Sequence, residues 1–327
     1  MTFDERVESL RAVAPMLTDR QARFLVTVML HAGVCLGRHY CTFAGIAYGR
    51  KMHDFYSGLL EAGFATVRPC RHNTAKLYHV HHKPLYAAIG EPDNRHRKPV
   101  PLPRAVERLM LLDGVLADRD RIWLATERDK VEHFTLEHRV RREDLPRITF
   151  RGEDSETVRY FPDKAPIGVS ADAQRHTFAY LVDRSAPIEF RAFLESHAEL
   201  LRGLRGWTVR LLVPPHFKRA VTAYHAAFRE QLAMPLRPVV LDELRWLFNA
   251  RRQVDTDAEQ RFQEASRAFR APRFSALYRA WQERGEAVLD ATASPVLADA
   301  ITRGTGALES YVLPYRYLDL TRLVGTA

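Results

Sequence analysis

The 327-residue sequence predicts a multidomain protein of mixed α+β and α/β class, with helices and a hairpin first, a small α/β core in the middle and helices last. Three observations predict it. From Thr18 to Ile89, amphipathic runs at helical spacing give way to alternating strand-like segments joined by a polar turn. From Arg147 the apolar residues adopt the strand period on both sides of one long amphipathic segment, the order of an α/β core. From Val239 they return to helical spacing in three successive stripes. A hydrophobic fraction of 46% with 10% aromatics is enough to build cores and excludes a disordered tail.

Residues 4–14 predict a short structural helix closed by Pro15. Thr18 and Gln21 then form a capping box at the start of a run through Phe24, Leu25, Val28, Met29 and Ala32, and Gly33 supplies a C-terminal stop. Arg38 to Ala47 reads as a short helix carrying Tyr40, Phe43 and Ala44, reset by Gly49. Arg50 to Ala62 is a second amphipathic run with Met52, Phe55, Leu59 and Leu60 on one face, ended by Gly63. Residues 64–68 and 76–80 alternate around the polar turn Arg71-His72-Asn73-Thr74 and predict a hairpin. Helix, short helix, helix, hairpin is the order of a winged helix-turn-helix, here residues 1–90, in which the third helix enters the major groove of double-stranded DNA and the hairpin follows the phosphates.

The charge agrees with that partner. Between Arg50 and Lys83 six Lys or Arg stand against two acids, and the whole chain carries +9, which favours a polyanion. The residues expected to meet DNA are Arg50, Lys51, His53 and Ser57 on the helix and Arg68, Arg71, His72, Asn73 and Lys76 on the wing. His79, His81 and His82 lack a ligand-spaced Cys or acid, so a DNA-facing or surface role is expected of them rather than a metal site.

Residues 91–104 hold four prolines within Glu91–Pro103 and predict an extended linker, with Arg95, Arg97 and Lys98 as solvated cations or a phosphate-tracking arm. Residues 105–238 form the expected core. A helix from Ala105 to Leu116, a strand at Ile122 and a helix through Phe134 precede a charged irregular stretch. Strands at 148–150, 157–163 and 177–183, a helix at 188–204, an apolar strand at 207–213 and a helix at 217–232 complete it. Residues 239–327 read as helical, their stripes serving either a core or a homodimer interface, together with the aromatic tail 311–317.

The order of strand, Phe161-Pro162-Asp163, strand ending Phe178 to Ser185, helix and apolar strand resembles the restriction-endonuclease-like core found behind a winged helix in the plasmid replication-relaxation family of mobile-element proteins. The resemblance spans roughly Thr18 to Leu232. It implies a regulator of transcription or replication on a plasmid or mobile element. It also implies a metal-binding pair of acids, with Asp163 matching the first position and Asp183 the second. Leu181 stands where the family pattern carries Glu, and Arg184 replaces the usual lysine placement, which implies a core without its chemistry and no cofactor. The alternative is an Mg- or Mn-dependent DNA nuclease or nicking accessory using Asp163, Asp183 and Glu189.

Other chemistries lack their motifs: there is no glycine-rich phosphate loop, no Gly-x-Ser-x-Gly elbow and no His-Glu-x-x-His helix. Three cysteines without a paired Cys-x-x-Cys indicate neither a disulfide framework nor a zinc ribbon. An acidic N-terminus and the lack of an apolar run of about 18 residues predict a cytoplasmic location and no membrane partner. A basic face that docks an acidic protein remains the third reading.

Overall fold

The computed structural model describes residues 1–70, 75–151, 156–252 and 259–321, and the chain divides into two units, residues 1–126 with 212–215 and 312–327, and residues 127–211 with 216–311. Its class is mixed α+β with several sheets.

In the first unit, α1 (Phe3–Val13) and α2 (Asp19–His31) each open with a reciprocal capping box. The Gln21 N–H donates to Thr18 Oγ1 at 3.3 Å and the Thr18 N–H to Gln21 Oε1 at 2.8 Å, pairing two amides the helix leaves free. The chain leaves α2 through Gly33, at φ +68°, where a Cβ would lie 2.3 Å from the His96 carbonyl oxygen. Only glycine fits both the left-handed turn and that approach. The turn leads into β1 (Val34–Leu36), a strand absent from the sequence reading because three buried residues show no period.

Next come α3 (Gly37–Ala44), capped by left-handed Gly45, and α4 (Arg50–Glu61). The hairpin follows as β2 (Ala65–Pro69) and β3 (Lys76–Val80), antiparallel with Ala65 opposite Val80 and Pro69 opposite Lys76. β3 also pairs with β1, so the sheet order is β1-β3-β2. Aromatic rings hold α4 in place: Tyr40 stacks on Phe55 at 4.3 Å and Tyr56 on Tyr78 at 3.8 Å, while the buried Tyr56 hydroxyl donates to Leu36 O at 3.0 Å.

After α5 (Lys83–Ala88), the segment expected as an extended linker is instead folded onto this unit. Asn94 caps a tight turn at Arg95–Arg97 by accepting from the His96 N–H at 2.8 Å, and buried His96 offers its carbonyl to His79 Nε2 at 3.1 Å. Four prolines stiffen the chain without keeping it from packing. α6 (Leu102–Leu116) and β4 (Ile122–Leu124) then also belong to the first unit, whereas the sequence reading opened the core at Ala105. The reason lies in Asp113. Arg38 donates to both its oxygens at 2.5 and 2.7 Å, His39 Nε2 lies 3.1 Å from Oδ1, and the Tyr317 hydroxyl donates to Oδ2, so α3, α6 and the C-terminal segment share one buried carboxylate.

The second unit starts with α7 (Glu127–Glu132), which widens into a π turn at His133–Glu137. β5 (Arg147–Arg151) and β6 (Glu156–Tyr160) form a hairpin. β7 (Ile167–Val169), in a stretch read from sequence as loop, pairs antiparallel with β8 (Arg175–Leu181), Ile167 opposite Phe178. α8 (Ile188–Gly203) crosses to β9 (Gly206–Val213), followed by α9 (Val221–Phe228).

The C-terminal stripes of α10 (Pro238–Ala250), α11 (Glu259–Ala268), α12 (Pro272–Arg284) and α13 (Ala287–Ala293) turn on one another in one buried cluster around Leu244, Leu247, Phe248, Leu277 and Leu289. α14 (Val296–Thr302) leads into β10 (Gly306–Val312), where helix or tail was expected. Gly306 decides this: a Cβ there would meet the Trp207 ring at 2.4 Å, so glycine lets the strand lie beside β9, giving the order β10-β9-β8-β7.

Candidate functional site

α4 has two faces of opposite character. Met52, Phe55, Tyr56 and Leu59 are buried, while Arg50, Lys51, His53, Asp54 and Ser57 are exposed. The side chain of Arg50 is 94% exposed and makes only a loose i,i+4 pair with Asp54 at 3.6 Å, which costs little to break. His53 meets the exposed Tyr48 ring edge to face at 5.6 Å. On the hairpin, Arg68 and Lys76 are exposed, and the register sets Arg68 opposite Leu77. Arg71, His72 and Asn73 lie outside the described residues.

A cavity of about 500 Å³ opens beside this face, lined by Leu36, Arg38, Tyr48, Lys76, Tyr315 and Arg316. Tyr48 and Arg316 were not singled out from sequence. Tyr48 sits in the turn before α4, and Arg316 reaches the unit only because the distant C-terminal segment returns to it. Arg38 is largely committed elsewhere, held on Asp113 with its guanidinium 3.4 Å over the Tyr315 ring.

The histidine run divides by burial. His79, expected to face DNA or solvent, is buried behind the hairpin and bonded to the His96 carbonyl, and burial lowers its pKa. β3 is the central strand of its sheet and is buried on both faces from Leu77 to Val80, so His79 is covered along with its neighbours.

In the second unit the three acids named from sequence stand in local roles. Asp163 Oδ1 accepts the Ala165 N–H at 2.7 Å and its Oδ2 lies 3.5 Å from Nε2 of buried His197. Phe161 and Lys164 on either side have positive φ, so Asp163 braces a strained turn. Asp183, just past β8, pairs with its neighbour Arg184 at 3.3 Å, and Glu189 is exposed in the first turn of α8. Among the described residues, the one group of three or more His, Cys, Asp or Glu placed to hold a metal ion is His133, His138 and His176. Burial lowers the pKa of His133, and burial with the neighbouring His133 and His138 pushes His176 down to about 3, leaving both imidazoles neutral at pH 7. The sequence reading missed this trio.

Compared with known proteins, the chain matches no family model, no curated protein and no solved structure.

Proposed function

We propose that this chain is a sequence-specific double-stranded DNA-binding protein, a regulator of transcription or replication that reads its site with a winged helix-turn-helix. One observation carries the reading: α4 is fixed on one face by packed aromatic rings and presents Arg50, Lys51, His53 and Ser57 on the other, beside a hairpin whose exposed cations are Arg68 and Lys76. The element order, with a short first strand pairing the hairpin as β1-β3-β2, supports the winged form. A rigid helix with a basic outer face suits the major groove, and exposed cations on a hairpin suit phosphates, which position the protein without reading sequence. The mobile-element setting rests on the sequence resemblance alone. In the same reading the second unit is a restriction-endonuclease-like core that has lost its chemistry, supported by the local engagement of Asp163 and Asp183.

The test is binding of the full chain to fragments from its own upstream region against random duplex over a salt series. A footprinted site with a specificity ratio of about 10³ or more, and an affinity falling steeply with salt, is expected. Salt-independent or absent DNA binding would remove this reading in favour of an acidic protein partner.

A further inference from the structure

The second unit holds a constellation that the DNA-binding reading does not use. His133 and His138 are five residues apart, a spacing that on an α-helix leaves side chains about 140° apart around the axis. Here the chain runs as a π turn, closed by the His138 N–H on the His133 carbonyl at 3.3 Å, and the two rings come to 4.6 Å. His176, near the start of β8, completes the group with its ring 4.7 Å from His138 and its Nε2 2.9 Å from Nε2 of His133.

The distances suit coordination. Nitrogens bound at about 2.0–2.1 Å sit about 3.3 Å apart around a tetrahedral ion and about 2.9 Å apart when adjacent on an octahedral one. The Nε2 pair is already at that spacing, and the ligand atoms of all three residues lie within 4.8 Å of one another. The third ring must close by roughly 1.5 Å to reach it, and it belongs to half-buried His138, just past the end of the turn. His138 Nε2 is a buried nitrogen with no hydrogen-bond partner. Glu137 Oε2 lies 2.8 Å from His133 Nδ1, which fixes the proton on that nitrogen and leaves the Nε2 lone pair facing the cluster, as carboxylates do behind metal-bound histidines. Phe134 covers the site, its ring 5.2 Å from that of His176.

We propose that His133, His138 and His176 bind a divalent transition-metal ion of the zinc type, with three imidazole ligands and one coordination position open to solvent. Three neutral nitrogens without a carboxylate favour zinc, nickel, cobalt or copper over magnesium or calcium. Three protein ligands leave a fourth tetrahedral position for water, and Glu137 is a positioning residue that acts through His133.

The test uses the full chain stripped with a chelator, then titrated with Zn²⁺ and, as a spectroscopic reporter, Co²⁺. One ion per chain is expected, with a raised Tm and cobalt d–d bands free of thiolate charge transfer. His138→Ala, at a half-exposed position, is expected to keep the metal-free Tm and to weaken Zn²⁺ binding at least tenfold. Glu137→Gln is expected to weaken it about tenfold. Binding unchanged in His138→Ala and His176→Gln overturns the proposal, as does a thiolate band that places the ion on a cysteine. A wild-type Tm indifferent to metal also overturns it, leaving the 2.9 Å contact as an N–H···N hydrogen bond between two structural histidines.

Discussion

Asp113 is a carboxylate kept charged inside the first unit. Burial pulls its pKa up, but His39 and the Arg38 guanidinium outweigh that and hold it well below the usual carboxylate range. Burial lowers the pKa of His39, and its Nδ1 accepts the Leu36 N–H at 2.8 Å, so the ring proton sits on Nε2, 3.1 Å from Asp113 Oδ1. A group with a depressed folded pKa stabilises fully above its unfolded value of about 3.9 and loses that contribution as pH falls toward the folded one. Asp113→Asn is therefore expected to cost about 3 kcal/mol at pH 7, with the gap to wild type narrowing between about pH 5 and 2. Calorimetric Tm values across that range would show it, and a gap independent of pH would assign the loss to packing. On the outer face, Arg50→Ala is expected to relax base preference about tenfold or more if Arg50 reads a guanine, whereas Lys76→Ala should weaken all sequences alike and reduce the salt slope by about 1. Equal losses on specific and random duplex from both changes would contradict that division.

Among the elements, α4 owes its placement to the turns around it. Gly45 sits at φ +65° with open space where a Cβ would go, so Gly45→Ala is expected to cost only the left-handed backbone penalty, about 1–2 kcal/mol. Gly33→Ala adds a collision with the His96 backbone oxygen at 2.3 Å, which no side-chain rotation relieves, and should cost more. Urea midpoints of the two variants should fall in that order. Much of this unit was readable from sequence: the Thr18–Gln21 box, the stops at Gly33 and Gly63, and the amphipathic run of α4 are local signals, set by a few consecutive residues, whereas the short helix read as Arg38 to Ala47 ends earlier, at left-handed Gly45. The π turn was not. Five-residue spacing between His133 and His138 means nothing on an α-helix, and the turn that makes it meaningful has no signature in a single sequence.

At the scale of the molecule, the chain leaves the first unit at Thr126 and returns to it twice, with residues 212–215 and 312–327. A fragment ending at Gly90, the boundary the sequence suggested, would lack α6 and leave Asp113's partners Arg38 and His39 without their carboxylate. It is expected to be poorly soluble or unfolded by circular dichroism. A fragment ending at Thr126 keeps α6 but loses the Tyr317 hydroxyl on Asp113, and should fold with a lower Tm than the same unit in the full chain. A residues 1–90 fragment as stable as the longer one would overturn this account. No helix among the described residues is long and apolar enough to cross a membrane.

The sequence by itself determined the mixed class, the helices and hairpin around α4, the long strands and the crossover helix of the second unit, because capping, periodicity and turn chemistry act over a few neighbouring residues. It also placed Arg50, Lys51, His53 and Ser57 on the outer face of α4. Tertiary structure decided the rest. β1, β7 and β10 are strands through their partners: two are too short to show a period, and the third depends on Gly306 fitting against Trp207. The folded linker, the assignment of α6 to the first unit and the burial of His79 come from contacts made far along the chain. The meeting of His133, His138 and His176 needed both a widened helical turn and a strand 43 residues away, a juxtaposition that only the fold creates.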